Sequence, residues 1–534
     1  MKKNIYLIRN TFGITALLFL GSCRSTDTEN ILASGGTSAV SFNLLGSEYA
    51  DFGKLSSQAS LTKVSGINTE NNVERQSVLI TPSSFITAEL SPTLESKFST
   101  NASLESNSQA AISGNPITSG VMFRIIAYRQ SNGNYHTHQD YTVGQPAVPM
   151  MLDNGASYNI VAYSYGASTL PSISSGEQNN ISSASVNYDD NNRDFMYQKI
   201  PFTPTNSTNT LNITLRHKVA QITTIVNSGD LGNITNITGG VLTPHYSNGV
   251  ISLSTGIMSG RSNITSGAAL NFSGLNTTTA TAAPVFVNAD TGGLTGGFSA
   301  AITIAGTTKT ISLPNSFKIT PENKSNLTIN LGKCGAYVGP NTNPANYKEF
   351  MCHNLGATTT ADPFTPAAAI HGAKYQWGAQ TGEAGRYVSQ SVDQSNSGAI
   401  SGWNSTAKPN GSWSDTSKTA NDPCPAGYRV PTEAQWQAVI SNNNVERVGS
   451  WNSDGNYTSA LYFRNPSNVR TLMLPAAGYR YYTVGTLLDR GDYGRYWSSS
   501  EATSNANFLY FSSSSVLVPN INRTNGLSVR CVAE

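Results

Sequence analysis

Charged side chains are scarce in this sequence. Lys, Arg, Asp and Glu make up 12% of the 534 residues, about half of the roughly 25% that is typical of soluble domains. The net charge is +2, and there is no run of basic residues. Because nucleic acid binding needs a clustered basic surface, the composition excludes nucleic acid as a partner. It is typical of an extracellular β protein, and the length suffices for about three domains.

Long apolar runs are also missing. The stretch Thr11–Leu20, preceded by Lys2 and Lys3, is too short to span a bilayer, which takes about 20 residues. The segment LGSC that ends at Cys23 resembles the lipobox of bacterial lipoproteins. The resemblance implies a signal peptide over residues 1–22, a lipid on Cys23 with a linker over residues 23–36, and anchoring in the outer membrane at the cell surface. The alternative is an ordinary signal peptide with an incidental Cys.

Tryptophan is absent from the first 330 residues, and all six Trp lie in the final third. Every Cys except Cys23 lies there too. This shift in composition predicts a domain boundary near Cys334. An even number of Cys in an exported domain indicates disulfides, with three alternative pairings. We predict Cys334–Cys352 across a hairpin and Cys424–Cys531, which would close the domain on itself.

Residues 37–333 contain short runs in which apolar and polar residues alternate between polar turns. The runs include Val40–Leu44, Tyr158–Tyr165, Leu211–Leu215 and Leu327–Leu331. A period of two predicts half-buried strands, and long helical periodicity is missing. We therefore predict two β-sandwiches, over residues 37–214 and 215–333.

Three segments in this half carry a family resemblance. Phe123–Tyr128 (FRIIAY), Tyr158–Tyr165 (YNIVAYSY) and Leu215–Ala220 (LRHKVA) resemble fimbrillin-like proteins, the subunits and accessory proteins of type V pili. The resemblance implies transthyretin-like sandwiches that join pilus subunits by donor-strand exchange, a form of β-augmentation. In that family an Arg-specific protease can remove the first strand. Arg75, predicted to lie in a polar loop, is a candidate cleavage site; the alternative is an ordinary surface Arg.

The most specific motif of the chain is Asp422–Trp436 (DPCPAGYRVPTEAQW). Its Pro and Gly residues exclude a helix before Tyr428. Thr432–Gln435 then has the pattern of a capping box that begins a short helix. Trp436 and Trp497 each lie in a regular element, which favours core positions over ligand contacts.

This motif resembles part of the major paralogous domain family abbreviated FISUMP, a relative of C-type-lectin-like and formylglycine-enzyme-like folds. The resemblance covers residues 334–534 and implies an α+β C-type-lectin-like domain that serves for binding. The whole chain is then multidomain and mainly β. The other matching segments are Lys348–Gly356 (KEFMCHNLG), Tyr375–Gly378 (YQWG), Pro475–Arg480 (PAAGYR), Gly494–Glu501 (GRYWSSSE) and Gly526–Val532 (GLSVRCV).

A candidate binding surface lies in the segment Gly478–Arg523, which is rich in Tyr, Asn, Asp and Arg. Tyr supplies contact area at low entropy cost, Asn supplies adaptable hydrogen bonds, and Arg and Tyr are favoured as hot spots. The alternative is that these residues form solvated loops, as in any soluble domain. The candidate ligand-binding residues are Tyr481, Tyr482, Arg490, Asp492, Tyr493, Asn505, Asn507, Tyr510 and Asn522.

Signals for metal or nucleophile chemistry are weak. His136, His138 and Asp140 share one side of a strand, a spacing that can bind a metal but more often marks the polar face of a hairpin. His353 beside Cys352 suggests a nucleophile pair, but a disulfide would remove that thiol from chemistry. The tripeptides with which C-type lectins bind sugar through calcium do not occur. We predict no cofactor, no metal site and no enzymatic activity.

Our first hypothesis is a surface-exposed lipoprotein adhesin, or a pilus tip or accessory subunit. It would bind a glycan or protein of a host or neighbouring cell through its C-terminal domain, with the sandwiches as a stalk. The alternatives are a formylglycine-generating or glycan-modifying enzyme, and a purely structural cell-surface protein.

Overall fold

The computed structural model describes residues 36–50, 74–93 and 114–534. Cys23 and the predicted signal peptide lie outside these ranges, as does most of the predicted linker. Within the described ranges, no helix combines the length and the apolar composition that crossing a membrane requires.

Strands dominate the chain before Cys334, as the alternation predicts. In the strand Lys324–Lys333, for example, Leu327, Ile329 and Leu331 are buried and their neighbours Thr328 and Asn330 are partly exposed. In chain order these strands are β1 (Thr37–Glu48), β2 (Glu74–Thr81), β3 (Ser84–Pro92), β4 (Met122–Arg129), β5 (Tyr135–Thr142), β6 (Met150–Asp153), β7 (Tyr158–Ser164), β8 (Ser185–Asn187), β9 (Met196–Phe202), β10 (Thr208–His217), β11 (Ala220–Asn227), β12 (Ile234–Thr243), β13 (Val250–Ser252), β14 (Met258–Ser259), β15 (Ala268–Ala269), β16 (Phe272–Ser273), β17 (Thr279–Ala282), β18 (Val285–Val287), β19 (Gly296–Ile304), β20 (Thr307–Phe317) and β21 (Lys324–Lys333).

The first sandwich is built mainly from one sheet, in the order β5-β4-β7-β9-β10-β1-β6. β1 runs parallel to β10 along nearly its whole length. The rings of Phe42 on β1 and Tyr141 on β5 lie 5.8 Å apart, although these strands are far apart in the sheet order. The sheet therefore curls over itself and encloses an apolar core that also contains Ile125, Ile160 and Leu215.

β7 is buried on both of its faces. Tyr158 and Ile160 point into the core of the curled sheet, whereas Val161 and Tyr163 pack on the other side with the small sheet β14-β13-β8. A strand covered on both faces is apolar at nearly every position, which explains the run YNIVAYS.

The second sandwich consists of two facing sheets. One has the order β16-β17-β11-β21-β3-β2, with β18 beside β11, and the other has the order β15-β12-β19-β20. β21 lies between β11, to which it is parallel, and β3, to which it is antiparallel. Leu327 and Ile329 of β21 share one core with Phe298 and Ile302 of β19.

The chain passes from the first sandwich to the second between β10 and β11, close to the predicted boundary at residue 215. Two segments depart from the predicted division. The hairpin β2–β3, predicted in the first sandwich, belongs to the second, because β3 pairs with β21 from Ser84 to Pro92. Conversely, β13 and β14 pair with β8 and pack against the first sandwich. Alternation predicts that a segment is a strand but not which sheet it joins.

Beyond Cys334 the strands become shorter and α-helices appear, which matches the predicted α+β domain. In chain order the elements are β22 (Gly335–Tyr337), β23 (Tyr347–Glu349), β24 (Lys374–Tyr375), β25 (Tyr387–Val388), α1 (Gln390–Ser395), β26 (Tyr428–Arg429), α2 (Glu433–Asn442), β27 (Asn444–Val448), β28 (Ala460–Arg464), β29 (Arg470–Pro475), β30 (Ala477–Arg480), β31 (Leu487–Arg490), β32 (Gly494–Ala502), β33 (Asn505–Phe511), β34 (Val516–Leu517), β35 (Asn520–Asn522) and β36 (Val532–Ala533).

The predicted capping box begins α2. The backbone N–H of Gln435 donates to Thr432 Oγ1 at 3.1 Å, and that of Thr432 donates to Gln435 Oε1 at 2.9 Å. The helix buries Trp436, whose indole N–H donates to the carbonyl of Trp497 at 3.2 Å. Both Trp side chains are completely buried, as predicted.

The structure contains both predicted disulfides. Cys334 and Cys352 are joined with a Cα–Cα distance of 5.1 Å, and Cys424 and Cys531 with one of 5.9 Å. The second bond links the segment before β26 to the residue before β36. It therefore closes the C-terminal domain on itself.

The turn of the β2–β3 hairpin docks onto the C-terminal domain. The N–H groups of Cys334 and Cys352 donate to the carbonyls of Ser83 and Pro82, each at 2.7 Å. The buried Ser83 hydroxyl donates to Glu349 Oε2 at 2.5 Å and accepts from the Tyr428 hydroxyl at 2.8 Å. The second sandwich is thus joined to the C-terminal domain by this turn as well as by the continuation of β21.

The predicted position of Arg75 in a polar loop is wrong. Arg75 lies in β2, opposite Glu89 of β3, and its Nε is 3.2 Å from Asp362 Oδ2. The residues that follow it, Gln76–Thr81, extend the same strand. The sequence does not indicate that the strand begins this early, because Asn72–Gln76 is polar. Proteolysis concentrates in exposed loop tips, so cleavage after Arg75 would first require this hairpin to open.

Candidate functional site

Tyrosine side chains gather at the end of the β30–β31 hairpin. Tyr479 and Tyr481 are two residues apart in an extended segment, so their side chains project to the same side. The ring of Tyr481 lies 4.5 Å from that of Tyr482. The turn is tight: the N–H of Gly485 donates to the carbonyl of Tyr481 at 2.9 Å, and a Cβ on Gly485 would lie 2.7 Å from the ring of Trp403.

Arg495 on β32 connects this group to two further tyrosines. Its guanidinium carbon lies 3.7 Å from the ring centroid of Tyr479, 5.8 Å from that of Tyr493 and 5.9 Å from that of Tyr510. The rings of Tyr493 and Tyr510 are themselves 5.4 Å apart. We call these residues the tyrosine strip: Tyr479, Tyr481, Tyr482, Tyr493, Tyr510, Arg495, Asp489 and Asp492.

Most of the strip is neither core nor fully solvated. Tyr479 is buried, Tyr482 is 38% exposed, and Tyr481, Tyr493 and Tyr510 are partly exposed. Backbone geometry fixes Asp489, one of the two acids of the strip. Gly478 has a φ of +62°, and a Cβ there would lie 2.3 Å from the carbonyl oxygen of Leu488. The Gly of the PAAGYR segment therefore allows β31, and Asp489 with it, to approach β30 closely.

The acids shape the electrostatics of the strip. Asp489 Oδ2 lies 3.4 Å from Arg495 Nη2. Burial raises the pKa of Asp489, an effect that Arg495 opposes and Asp492 reinforces. The negative charge of Asp492 also raises the pKa of the Tyr493 hydroxyl. Asp492 accepts a hydrogen bond from the Ser453 hydroxyl at 3.3 Å.

The candidates predicted as one surface lie on two faces of the domain. Tyr481, Tyr482, Asp492, Tyr493 and Tyr510 belong to the tyrosine strip. The asparagines lie on the opposite face of β33, because side chains alternate along a strand and Tyr510 is an odd number of residues from Asn505 and Asn507. β35 continues this second face, with Asn522 opposite Asn505 and Asn520 opposite Asn507.

The second face is occupied by contacts within the domain. The side-chain amide of Asn507 is buried and donates to Glu433 Oε2 of α2 at 2.7 Å. The amide of Asn505 donates to Asn520 Oδ1 at 2.9 Å, and Asn522 Oδ1 accepts from the N–H of Thr524 at 2.9 Å.

Arg490 is also separate from the strip. It is 8% exposed, and its guanidinium lies over the ring of Tyr457 at 5.0 Å and donates to the Tyr457 hydroxyl. The strip also includes Asp489 and Arg495, which belong to the predicted surface Gly478–Arg523 but not to its nine ligand candidates, and it adds Tyr479. Tyr479 belongs to a segment interpreted as scaffold. The signal that could have found it was the period of two that it shares with Tyr481.

The signals for other chemistry have structural explanations. Cys334, Cys352, Cys424 and Cys531 are all held in disulfides. His353 is buried, with Nε2 at 2.8 Å from the carbonyl oxygen of Ala361, and burial lowers its pKa. The Asp140 carboxylate binds the buried guanidinium of Arg124 at 2.6 Å. The described residues contain no cluster of three or more His, Cys, Asp or Glu side chains suited to a metal ion.

Residues 327–533 match the Fibrobacter succinogenes major domain family. The match confirms the family that the C-terminal motifs predict, and the tyrosine strip lies inside it. Among curated proteins, none matches the sequence of this chain.

The chain is also similar to several solved structures at low sequence identity. A candidate cell adhesion protein from Bacteroides uniformis is 15% identical, covers 40% of this chain and 86% of its own, and gives a TM-score of 0.29. A fimbrial assembly protein from Parabacteroides distasonis is 7% identical, with coverages of 40% and 86% and a TM-score of 0.27. A candidate cell adhesion protein from the same organism is 9% identical, with coverages of 48% and 87% and a TM-score of 0.28.

Proposed function

We propose that this protein is a non-enzymatic surface adhesin, or a pilus tip or accessory subunit, that binds a glycan or protein through the tyrosine strip. The observation that carries the proposal is the arrangement of Tyr rings around Arg495 on one face of the domain, those of Tyr493 and Tyr510 being partly exposed. Tyr and Arg are among the residue types enriched in binding hot spots. Tyr also offers a large contact area with few rotamers to immobilise.

The rest of the chain serves to present this face. A lipid on Cys23 anchors the protein in the outer membrane, and the two sandwiches act as a stalk that can also join pilus subunits. The firm junction between the second sandwich and the C-terminal domain supports this role. It includes two backbone hydrogen bonds to the turn at Pro82 and Ser83, in addition to the continuous chain at Lys333.

The binding role is tested with the full chain lacking only its predicted signal peptide. The protein is applied to host and bacterial cells, and the bound amount is measured for the wild type and for Tyr493→Ala/Tyr510→Ala. We expect the double variant to lose at least about tenfold in affinity. A matched control, Asn505→Ala/Asn522→Ala, alters the opposite face of β33 and should bind like the wild type. Unchanged binding by the Tyr variant would refute the proposal.

The location is tested separately in cells that express the full chain. Cys23→Ala should release the protein from the outer membrane fraction, whereas Cys334→Ala should not. Antibody labelling of intact cells should detect the wild-type C-terminal domain. A wild-type protein that is labelled only after the outer membrane is opened would contradict surface exposure.

A further inference from the structure

The tyrosine strip already contains its own cation. The guanidinium of Arg495 lies within 6 Å of four aromatic ring centroids, those of Tyr479, Tyr493, Phe508 and Tyr510. Ring faces attract cations at this range. Because Arg495 fills that position, a positively charged ligand finds the ring faces around it already occupied by a cation.

The strip is equally unsuited to an anion. The side chain of Arg495 is 13% exposed, and its guanidinium lies over the ring of Tyr479 and is paired with Asp489. With Arg495 positive and Asp489 and Asp492 negative, the members of the strip sum to one negative charge. A sulfate or carboxylate ligand would therefore be repelled by Asp492, while the guanidinium that could offset the repulsion is largely covered.

We infer that the tyrosine strip binds a neutral, hydroxyl-rich ligand, and we commit to a neutral oligosaccharide. This inference rests on the proposed function and names the ligand class for the same face. Partly exposed Tyr rings offer flat surfaces to the C–H faces of sugar rings. The Tyr hydroxyls can donate or accept hydrogen bonds, and the Asp492 carboxylate can accept them from sugar hydroxyls. An apolar surface with a few placed polar groups is the usual composition of a small-ligand site.

The geometry also indicates that calcium does not mediate this binding. Calcium takes about six to eight oxygen ligands. The strip supplies two carboxylates, and that of Asp489 already faces Arg495. We therefore expect neutral sugars to bind through the rings and hydroxyls themselves, with equal affinity in calcium and in EDTA.

The test uses three probes against the full chain without its predicted signal peptide: a printed array of neutral oligosaccharides, heparin and poly-lysine. We expect binding on the neutral array and none to the two charged polymers. Because neither partner's charge drives association, affinity should change by less than about twofold between low and high salt.

Two substitutions sharpen the result on the best neutral sugar from the array. Tyr510→Ala should weaken binding by at least about tenfold, whereas Tyr510→Phe keeps the ring, loses only the hydroxyl and should weaken binding by less than that. Asp492→Asn keeps a hydrogen-bond acceptor but loses the charge, so it should also weaken binding by less than Tyr510→Ala does. Circular dichroism of each variant shows that its fold is kept.

The outcomes separate this inference from the proposed function. If the strip is needed for cell binding but the ligand is heparin-like or basic, or is a neutral peptide, the inference is wrong and the adhesin proposal stands. Binding to neutral sugars that EDTA abolishes would also overturn the inference. If Tyr493→Ala/Tyr510→Ala leaves cell binding intact, both proposals fail.

Discussion

The sandwiches and the C-terminal domain are stabilised in different ways. In the second sandwich, β21 forms backbone ladders with β11 on one side and with β3 on the other along nearly its whole length. In the C-terminal domain, by contrast, β24, β25, β26, β34 and β36 contain two residues each. Ladders this short provide hydrogen bonds for few backbone N–H and C=O groups. Side chains must therefore form hydrogen bonds with the others.

Buried tryptophan and arginine side chains perform that task. The indole N–H groups of Trp377 and Trp497 donate to the carbonyls of Ser498 and Tyr375 at 3.0 and 2.7 Å. The fully buried guanidinium of Arg530 donates to the carbonyls of Met351 and Cys352 at 3.1 and 3.0 Å. The comparison implies that removing a single side chain or disulfide lowers the stability of the C-terminal domain more than that of the sandwiches.

The largest expected effect comes from the disulfide that closes the domain. Cys424 and Cys531 are 107 residues apart, so the chain-entropy relation assigns their bond about 4.7 kcal/mol. Cys424→Ser/Cys531→Ser should lower the unfolding temperature of the C-terminal domain by more than that of the sandwiches. Differential scanning calorimetry measures both transitions. An equal shift in both would mean that the two regions unfold as one unit.

Next in size is the loss of a single indole hydrogen bond. Trp497→Phe removes the indole N–H that the carbonyl of Tyr375 accepts beside the N–H of Leu527, and it leaves part of the buried ring space empty, which together cost about 1–3 kcal/mol. Ile329→Val is the matched change in the sandwich core and should cost about 0.5–1.5 kcal/mol, because its ladders remain. Urea unfolding followed by tryptophan fluorescence reports the first, and circular dichroism reports the second. A larger cost for Ile329→Val would reverse the comparison.

The same contrast explains what the sequence could predict. Local signals were sufficient for the capping box at Thr432 and the alternation in β21, because each depends on residues that are neighbours in sequence. The Cys pairing was predictable because four Cys allow only three pairings. The sheet that β3 joins was not predictable, because Leu90 and its partner Leu327 are far apart in sequence. The apolar residues of β3 could pack equally well in any sheet with an apolar face. The strip does not stand out in Gly478–Arg523 as one segment, because residues of two faces alternate there. The period of two at Asn507 and Tyr510 is the local signal that separates the faces.

A smaller effect is expected where the two regions meet. Ser83→Ala removes the hydroxyl that links Glu349 and Tyr428, at a cost of about 1–2 kcal/mol for a buried pair of hydrogen bonds. The calorimetric transitions of the second sandwich and the C-terminal domain should then move apart. Ser312→Ala, on the exposed side of β20, should change neither transition. Transitions that stay together in Ser83→Ala would show that the chain at Lys333 suffices to couple them.

The smallest expected effect is a dependence of this junction on pH. Burial alone would raise the pKa of Glu349, but hydrogen bonds from Lys333 and Ser83 lower it below the ordinary value of 4.5. A carboxyl with a lowered folded-state pKa stabilises the fold above its unfolded pKa, and this contribution is lost as the pH falls through the folded one. Glu349→Gln should therefore reduce the free energy of unfolding at pH 7, by less than about 1 kcal/mol because the side chain is 33% exposed. In urea titrations the difference between variant and wild type should shrink as the pH is lowered below 4.5. A difference that persists at low pH would mean that Glu349 acts through packing and not through its charge.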